Sequence, residues 1–163
     1  MKKRTFTDRY VKILRAVALG LILSTTGTGA VWAADMSHGA DNFYKSDKVD
    51  VQKVTFKNQY KMNIAGNLYL PKNMDQKQKH AAIIVGHPMG AVKEQSADLY
   101  AAKMAERGFV TLSVDLAFWG GSDGQPRNAV APDIYAETFS AAADYLGTSP
   151  FADKDRIGVI GIC

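Results

Sequence analysis

A chain of 163 residues that is 47% hydrophobic and 22% charged, with 14 glycines and 5 prolines, has the size and composition of one globular domain, which excludes collagen-like, low-complexity and intrinsically disordered classes. Its single cysteine excludes an intramolecular disulfide framework and a cysteine-rich zinc cluster. The formal charge of +4 is uneven: residues 1–33 hold six basic residues against one acidic, and the remainder fourteen against fifteen, so no basic footprint for nucleic acid persists beyond the first segment.

That first segment reads as an export signal. Lys2, Lys3, Arg4, Arg9, Lys12 and Arg15 precede the apolar run Ala16–Leu23, then small residues, then Val31-Trp32-Ala33 as a cleavage site. The apolar run is shorter than the ~20 residues that span a bilayer, and no Arg-Arg pair supports a twin-arginine signal. The expected organisation is a signal peptide over 1–33, a flexible polar lead-in over 34–50 and a folded domain over 51–163. The expected location is periplasmic or secreted, with no stable membrane association after cleavage.

Alternation over 51–57 and a second run over 62–70, joined by a turn at 58–61 and closed by Pro71, predict a β-hairpin. Residues 72–80 form a charged loop. Ala81–Val85 is apolar without alternation, as a strand covered on both faces reads. Apolar Ala97, Ala101, Met104 and Ala105 predict a helix over 95–107 with Gly108 just past its end. Phe109–Val114 predicts a buried strand followed at once by Asp115 and the glycine loop 120–124. Tyr135, Phe139, Ala142 and Leu146 make the stripe of a second helix, and Ile157–Ile162 a fifth strand ending at Cys163. Strands alternating with helices predict an α/β fold, a hairpin followed by β-α-β-α-β, with a mostly parallel sheet and helices on its faces.

In such sheets ligands bind beyond the carboxyl ends of the strands. His87-Pro88-Met89-Gly90, Asp115 with its loop, and Cys163 all fall there. The hairpin, Gly86-His87-Pro88, Lys93-Glu94-Gln95, Asp115 with Gly120-Gly121-Ser122, Pro126-Arg127 and Arg156–Cys163 occur in an order that resembles the N-terminal half of an α/β-hydrolase, most similar to the dienelactone-hydrolase-like branch. The resemblance covers about residues 51–163.

It implies a hydrolase of carboxylic ester or lactone-type bonds, with peptide bonds as a related class, acting on a small-molecule acyl substrate through a nucleophile elbow and without a cofactor. Gly161-Ile162-Cys163 matches the first three elbow positions, with Cys163 as nucleophile; without the neighbouring motifs, a cysteine closing an apolar strand reads as buried and inert. The loop after the third strand implies a backbone oxyanion donor, and because Pro88 has no N–H the donor is Met89 or Gly90, with Met89 preferred. Glu94 is a pocket carboxylate or a charge favoured near a helix start. His87, Gly90 and Arg127 are the substrate-binding candidates. His87 reads also as a loop-shaping residue, and Arg127 as a loop pin. Asp115 organises the glycine loop. His38 and His80 have no partners at ligand spacing, so no metal site is expected.

The family's acid and catalytic histidine have no match here, so the chain is expected to be a truncated product, inactive and poorly stable, with one apolar pair on the last strand left open at a cost of about 1.5–3 kcal/mol per side chain. A different class, a non-catalytic exported binding or interaction module on the same scaffold, is the alternative.

Overall fold

The computed structural model describes residues 44–163. The signal segment and residues 34–43 lie outside the described residues. The lead-in gives way to structure earlier than the sequence suggests. Val49 is buried and opens strand β1, Val49–Lys57. Tyr44 packs against the cluster beneath it, so an apolar anchor on each side of the polar 45–48 stretch fixes that segment.

Strand β2, Asn63–Pro71, pairs antiparallel with β1 in unbroken register from Val49 opposite Pro71 to Lys57 opposite Asn63. The turn between them works through Asn58. Its side-chain oxygen accepts the N–H groups of Tyr60 at 3.1 Å and Met62 at 3.0 Å, while its carbonyl accepts Lys61 N–H at 2.9 Å. Lys61 takes a left-handed φ of 62°, which gives the chain its reversal.

Strand β3, His80–Gly86, β4, Val110–Val114, and β5, Ala152–Gly161, complete one sheet in the order β1-β2-β4-β3-β5. The sheet is mixed: β4, β3 and β5 run parallel, while β2 is antiparallel to both of its neighbours. A 3₁₀ turn, Lys93–Gln95, leads into helix α1, Ala97–Ala105, and helix α2, Pro132–Thr148, precedes β5. Pro132 opens α2 at a position where its missing N–H costs nothing. Gly108 follows α1 at φ 95°, a conformation only glycine adopts readily.

The two helices cover opposite faces. Strand β3 sends Ala82 and Ile84 toward α2, where Ile64, Leu68, Leu112, Val114 and Leu146 close the larger core. Fully burying each such leucine or isoleucine contributes about 1.5–3 kcal/mol. Ile83 and Val85 face α1, whose Ala97, Ala101, Ala102 and Ala105 are small enough to let the helix lie close on the sheet. Strand β4 splits chemically: Val110, Leu112 and Val114 face α2, and the buried polar Thr111 and Ser113 face α1.

Strand β5 starts five residues before the expected Ile157. Its first part, Asp153–Arg156, is a polar outer strand without alternation, aligned by the His80–Ala152 pairing and a register shift before Ala82. Further along, Ile157 packs on the α2 side, Ile160 and Ile162 on the α1 side, and Val159 stands 56% exposed.

Candidate active site

The carboxyl ends of β3, β4 and β5 meet at one crest. At β3 the chain reverses through Pro88-Met89-Gly90-Ala91, closed by Ala91 N–H on the Pro88 carbonyl at 3.1 Å. Gly90, at the third position, has φ 84°, the geometry of a type II turn, which demands a residue without a Cβ there. Met89 is thereby pushed outward, 65% exposed, and among the described residues its N–H makes no hydrogen bond.

His87 is buried behind this turn. Its Nε2 accepts the Leu116 N–H at 3.0 Å, so the ring proton sits on Nδ1, which donates to the Pro88 carbonyl at 2.8 Å. Burial lowers its pKa, and the nearby Asp115 charge opposes that only in part. The Nε2 bond ties the end of β3 to the residues just past β4, and the Nδ1 bond holds the ring against its own loop.

Asp115, fully buried, is the hub of the second loop. Its carboxylate accepts Lys93 N–H at 2.9 Å, the Lys93 ammonium at 2.7 Å and Gly121 N–H at 2.8 Å. A Cβ on Gly120 would lie 2.3 Å from that carboxylate, so the loop can wrap it only as glycine. Ser122 Oγ donates to the Asp115 carbonyl at 2.7 Å and accepts Ala65 N–H at 2.9 Å, fastening the loop to β2. Arg127 directs its guanidinium into the same loop, onto the carbonyls of Gly120, Ser122 and Gly124 at 2.7, 2.5 and 3.3 Å.

Lys93 is the site residue that sequence reading passed over. It is buried and bridges Asp115 and Glu94, the latter at 2.6 Å. Burial pulls its ammonium down, but the two carboxylates together hold it above the ordinary lysine value. Burial pushes the Glu94 carboxyl up despite this contact. Glu94 lines a cleft with Asn67, Tyr69 and Asp98 whose lining includes neither Met89 nor Cys163. The available signal was the Lys-Glu pair directly ahead of an alanine-rich buried helix.

Cys163 lies two residues past the last β3–β5 pair, Gly86 opposite Gly161. Ile162 N–H donates to the Gly86 carbonyl at 3.3 Å, so the next residue stands beside the start of the His87–Gly90 turn. Cys163 is exposed and has φ 68°, a left-handed backbone that a non-glycine residue adopts at a cost. The arrangement offers a thiol and an unoccupied backbone N–H at neighbouring strand ends.

No protein-family model matches the chain. It is 54% identical over 121 residues to the uncharacterized protein PA2218 of Pseudomonas aeruginosa, covering 74% of this chain and 32% of that one. It is 42% identical over 113 residues to the uncharacterized protein YcjY of Escherichia coli, covering 68% and 37%. The chain thus spans about a third of the length of these relatives.

Among solved structures, that of PA2218 superposes with a TM-score of 0.71 at 55% identity over 74% of this chain and 37% of that one. The α/β-hydrolase GrgF of a Penicillium species has a TM-score of 0.64 at 24% identity, covering 70% and 38%. The dienelactone hydrolase-like promiscuous phosphotriesterase P91, from metagenomic libraries, has 0.58 at 18%, covering 71% and 50%. These last two likenesses establish the fold. The chain has the N-terminal half of an α/β-hydrolase fold and resembles its dienelactone-hydrolase-like members.

Proposed function

We propose that the protein is an exported hydrolase of carboxylic ester or lactone-type bonds, with peptide bonds as a related acyl class. Cys163 is its nucleophile and the Met89 N–H one oxyanion donor. The observation that supports this most directly is the Ile162 N–H bond to the Gly86 carbonyl at 3.3 Å, which brings the 161–163 segment alongside the start of the His87–Gly90 turn. A nucleophile there attacks from the crest, and an amide N–H facing the same hollow stabilises the developing oxyanion. His87, Gly90 and the Arg127-held loop form the substrate-side wall. Export rests on the sequence pattern of residues 1–33, and N-terminal sequencing of material from the cell envelope, expected to begin at Ala34, tests it.

The described residues supply no histidine base. His87 is engaged at both ring nitrogens, and His80 lies at the opposite end of β3. The 163-residue chain is therefore expected to acylate without turning over. With p-nitrophenyl acetate, a bond forms from the Cys163 sulfur to the acyl carbon, the bond to p-nitrophenolate breaks, and the thiol proton passes to solvent. The expected result is one equivalent of p-nitrophenolate per chain and an acetyl group on Cys163 by mass spectrometry, with neither in Cys163→Ala. Acylation no faster than that of the urea-unfolded chain would sink the reading and favour a binding module.

A further inference from the structure

Helix α1 is held to the sheet by little apolar surface. Its buried face is Ala97, Ala101, Ala102 and Ala105, and a methyl group buries far less area than the leucines and isoleucines on the α2 side. The rest of the attachment is polar. Thr111 Oγ1 donates to the Ala101 carbonyl at 2.8 Å, and Asp98, in the first turn, reaches across to β2 and β4.

Asp98 is 6% exposed. Asn67 Nδ2 donates to its two oxygens at 3.0 and 3.3 Å, and the Tyr69 hydroxyl, which burial keeps protonated, donates as well. The decisive contact is with Ser113, itself fully buried. Its Oγ lies 2.5 Å from Asp98 Oδ1 and 3.5 Å from the Asn67 carbonyl oxygen. A hydroxyl has one proton to give, so it cannot serve both acceptors at once. With Asp98 ionised, Ser113 donates to the carboxylate. With Asp98 protonated, the acid donates to Ser113 Oγ and the serine proton turns to the Asn67 carbonyl. The same side chains thus satisfy either state by turning one O–H.

The charged groups around the pair come from every neighbouring element. Lys93 and Glu94 precede α1, Asp115 follows β4, Lys53 on β1 and Lys45 ahead of it line the same cleft as Asp98, and Lys103 and Glu106 pair with each other further along α1. Lys93 draws the Asp98 carboxyl down through space, but its ammonium is bonded to Asp115 and Glu94. Burial outweighs Lys93 and the donors together, and holds the carboxyl above the ordinary aspartate value.

We propose that the Asp98–Ser113 pair is a proton-operated latch, which fastens α1 to the sheet more firmly when Asp98 carries a proton. Local opening of α1 returns Asp98 to water and to its ordinary value, so the docked helix binds the proton more tightly than the open one. The fastening is complete below the ordinary aspartate value and is lost as pH rises through the docked value. Asp98 and Ala102 both line the cleft of about 420 Å³ beside the strap 44–48, so the latch sets how often that cleft is whole.

The test joins two measurements on the 163-residue chain. Carbon-13 NMR of the Asp98 carboxyl gives its titration midpoint, expected above the ordinary aspartate value. It is expected to be higher still in Ser113→Ala and in Tyr69→Phe, each of which removes a donor to the ionised form. Native-state hydrogen exchange, corrected for intrinsic rates, gives the protection of the Ala101 and Ala102 amides relative to that of Leu112 in β4. This ratio is expected to rise as pH falls from 7 to 4, by about tenfold for each pH unit between the midpoint and the ordinary value. Glu94→Gln is expected to keep the dependence and Asp98→Asn to abolish it. A midpoint at or below the ordinary value, a ratio that ignores pH, or a dependence that survives in Asp98→Asn would each overturn the proposal.

Discussion

The Lys93 ammonium lies 2.7 Å from the Asp115 carboxylate, and both groups are almost wholly withdrawn from water. Such a pair is costly to half-remove, because the partner left behind is a buried charge without compensation. Lys93→Met is expected to destabilise the fold by about 3–5 kcal/mol in urea denaturation. Adding Asp115→Asn should recover a large part of that loss. A double variant no more stable than Lys93→Met would mean the ion pair is not what Lys93 contributes.

Gly86 closes β3 against an aromatic ring. A Cβ there would sit 2.3 Å from Cζ of Phe139. Gly86→Ala should cost about 1–3 kcal/mol through forced repacking, and Phe139→Leu in the same chain should offset part of it. A thermodynamic cycle without such coupling would contradict the contact.

His87 ties stability to pH. Burial holds its folded pKa below the ordinary 6.5, so the unfolded chain binds the extra proton. The contribution is complete above about 6.5 and is lost as pH falls toward the folded pKa. Urea titrations from pH 7.5 to 5.5 should show declining stability, with a shallower slope in His87→Gln. Parallel slopes would show that the ring is not buried neutral.

Arg127 holds the 120–124 loop with a planar fork that reaches three carbonyls. Lysine cannot reproduce that geometry. Arg127→Lys and Arg127→Ala are both expected to lose about 1.5–3 kcal/mol. Both should speed hydrogen exchange at Gly121 and Asn128, whose N–H groups are bonded to Asp115 and the Phe118 carbonyl. Full protection in the lysine variant would refute the fork as the holding element.

What could be read from the sequence was local. The unbroken apolar run at 81–85 fixed a strand covered on both sides, and Gly108 marked the end of α1 through its backbone freedom alone. Residues 152–156 hid their strand because their pairing is set by distant β3 rather than by any alternation of their own. The buried role of Lys93 was equally hidden: a lysine reads as surface until a carboxylate from another strand is placed beside it. Asn67, Asp98 and Ser113 come from β2, α1 and β4, and no spacing along the chain relates them. Only the polar alternation of Thr111 and Ser113 within a buried strand hinted that something other than oil lay on that side.

Because β4 lies between β2 and β3, the inner strand of the hairpin pairs with β4 and not with β3, which follows it in the chain: Gly66 stands opposite Val114. A pairing between residues so distant along the chain is a non-local closure of the kind that slows folding.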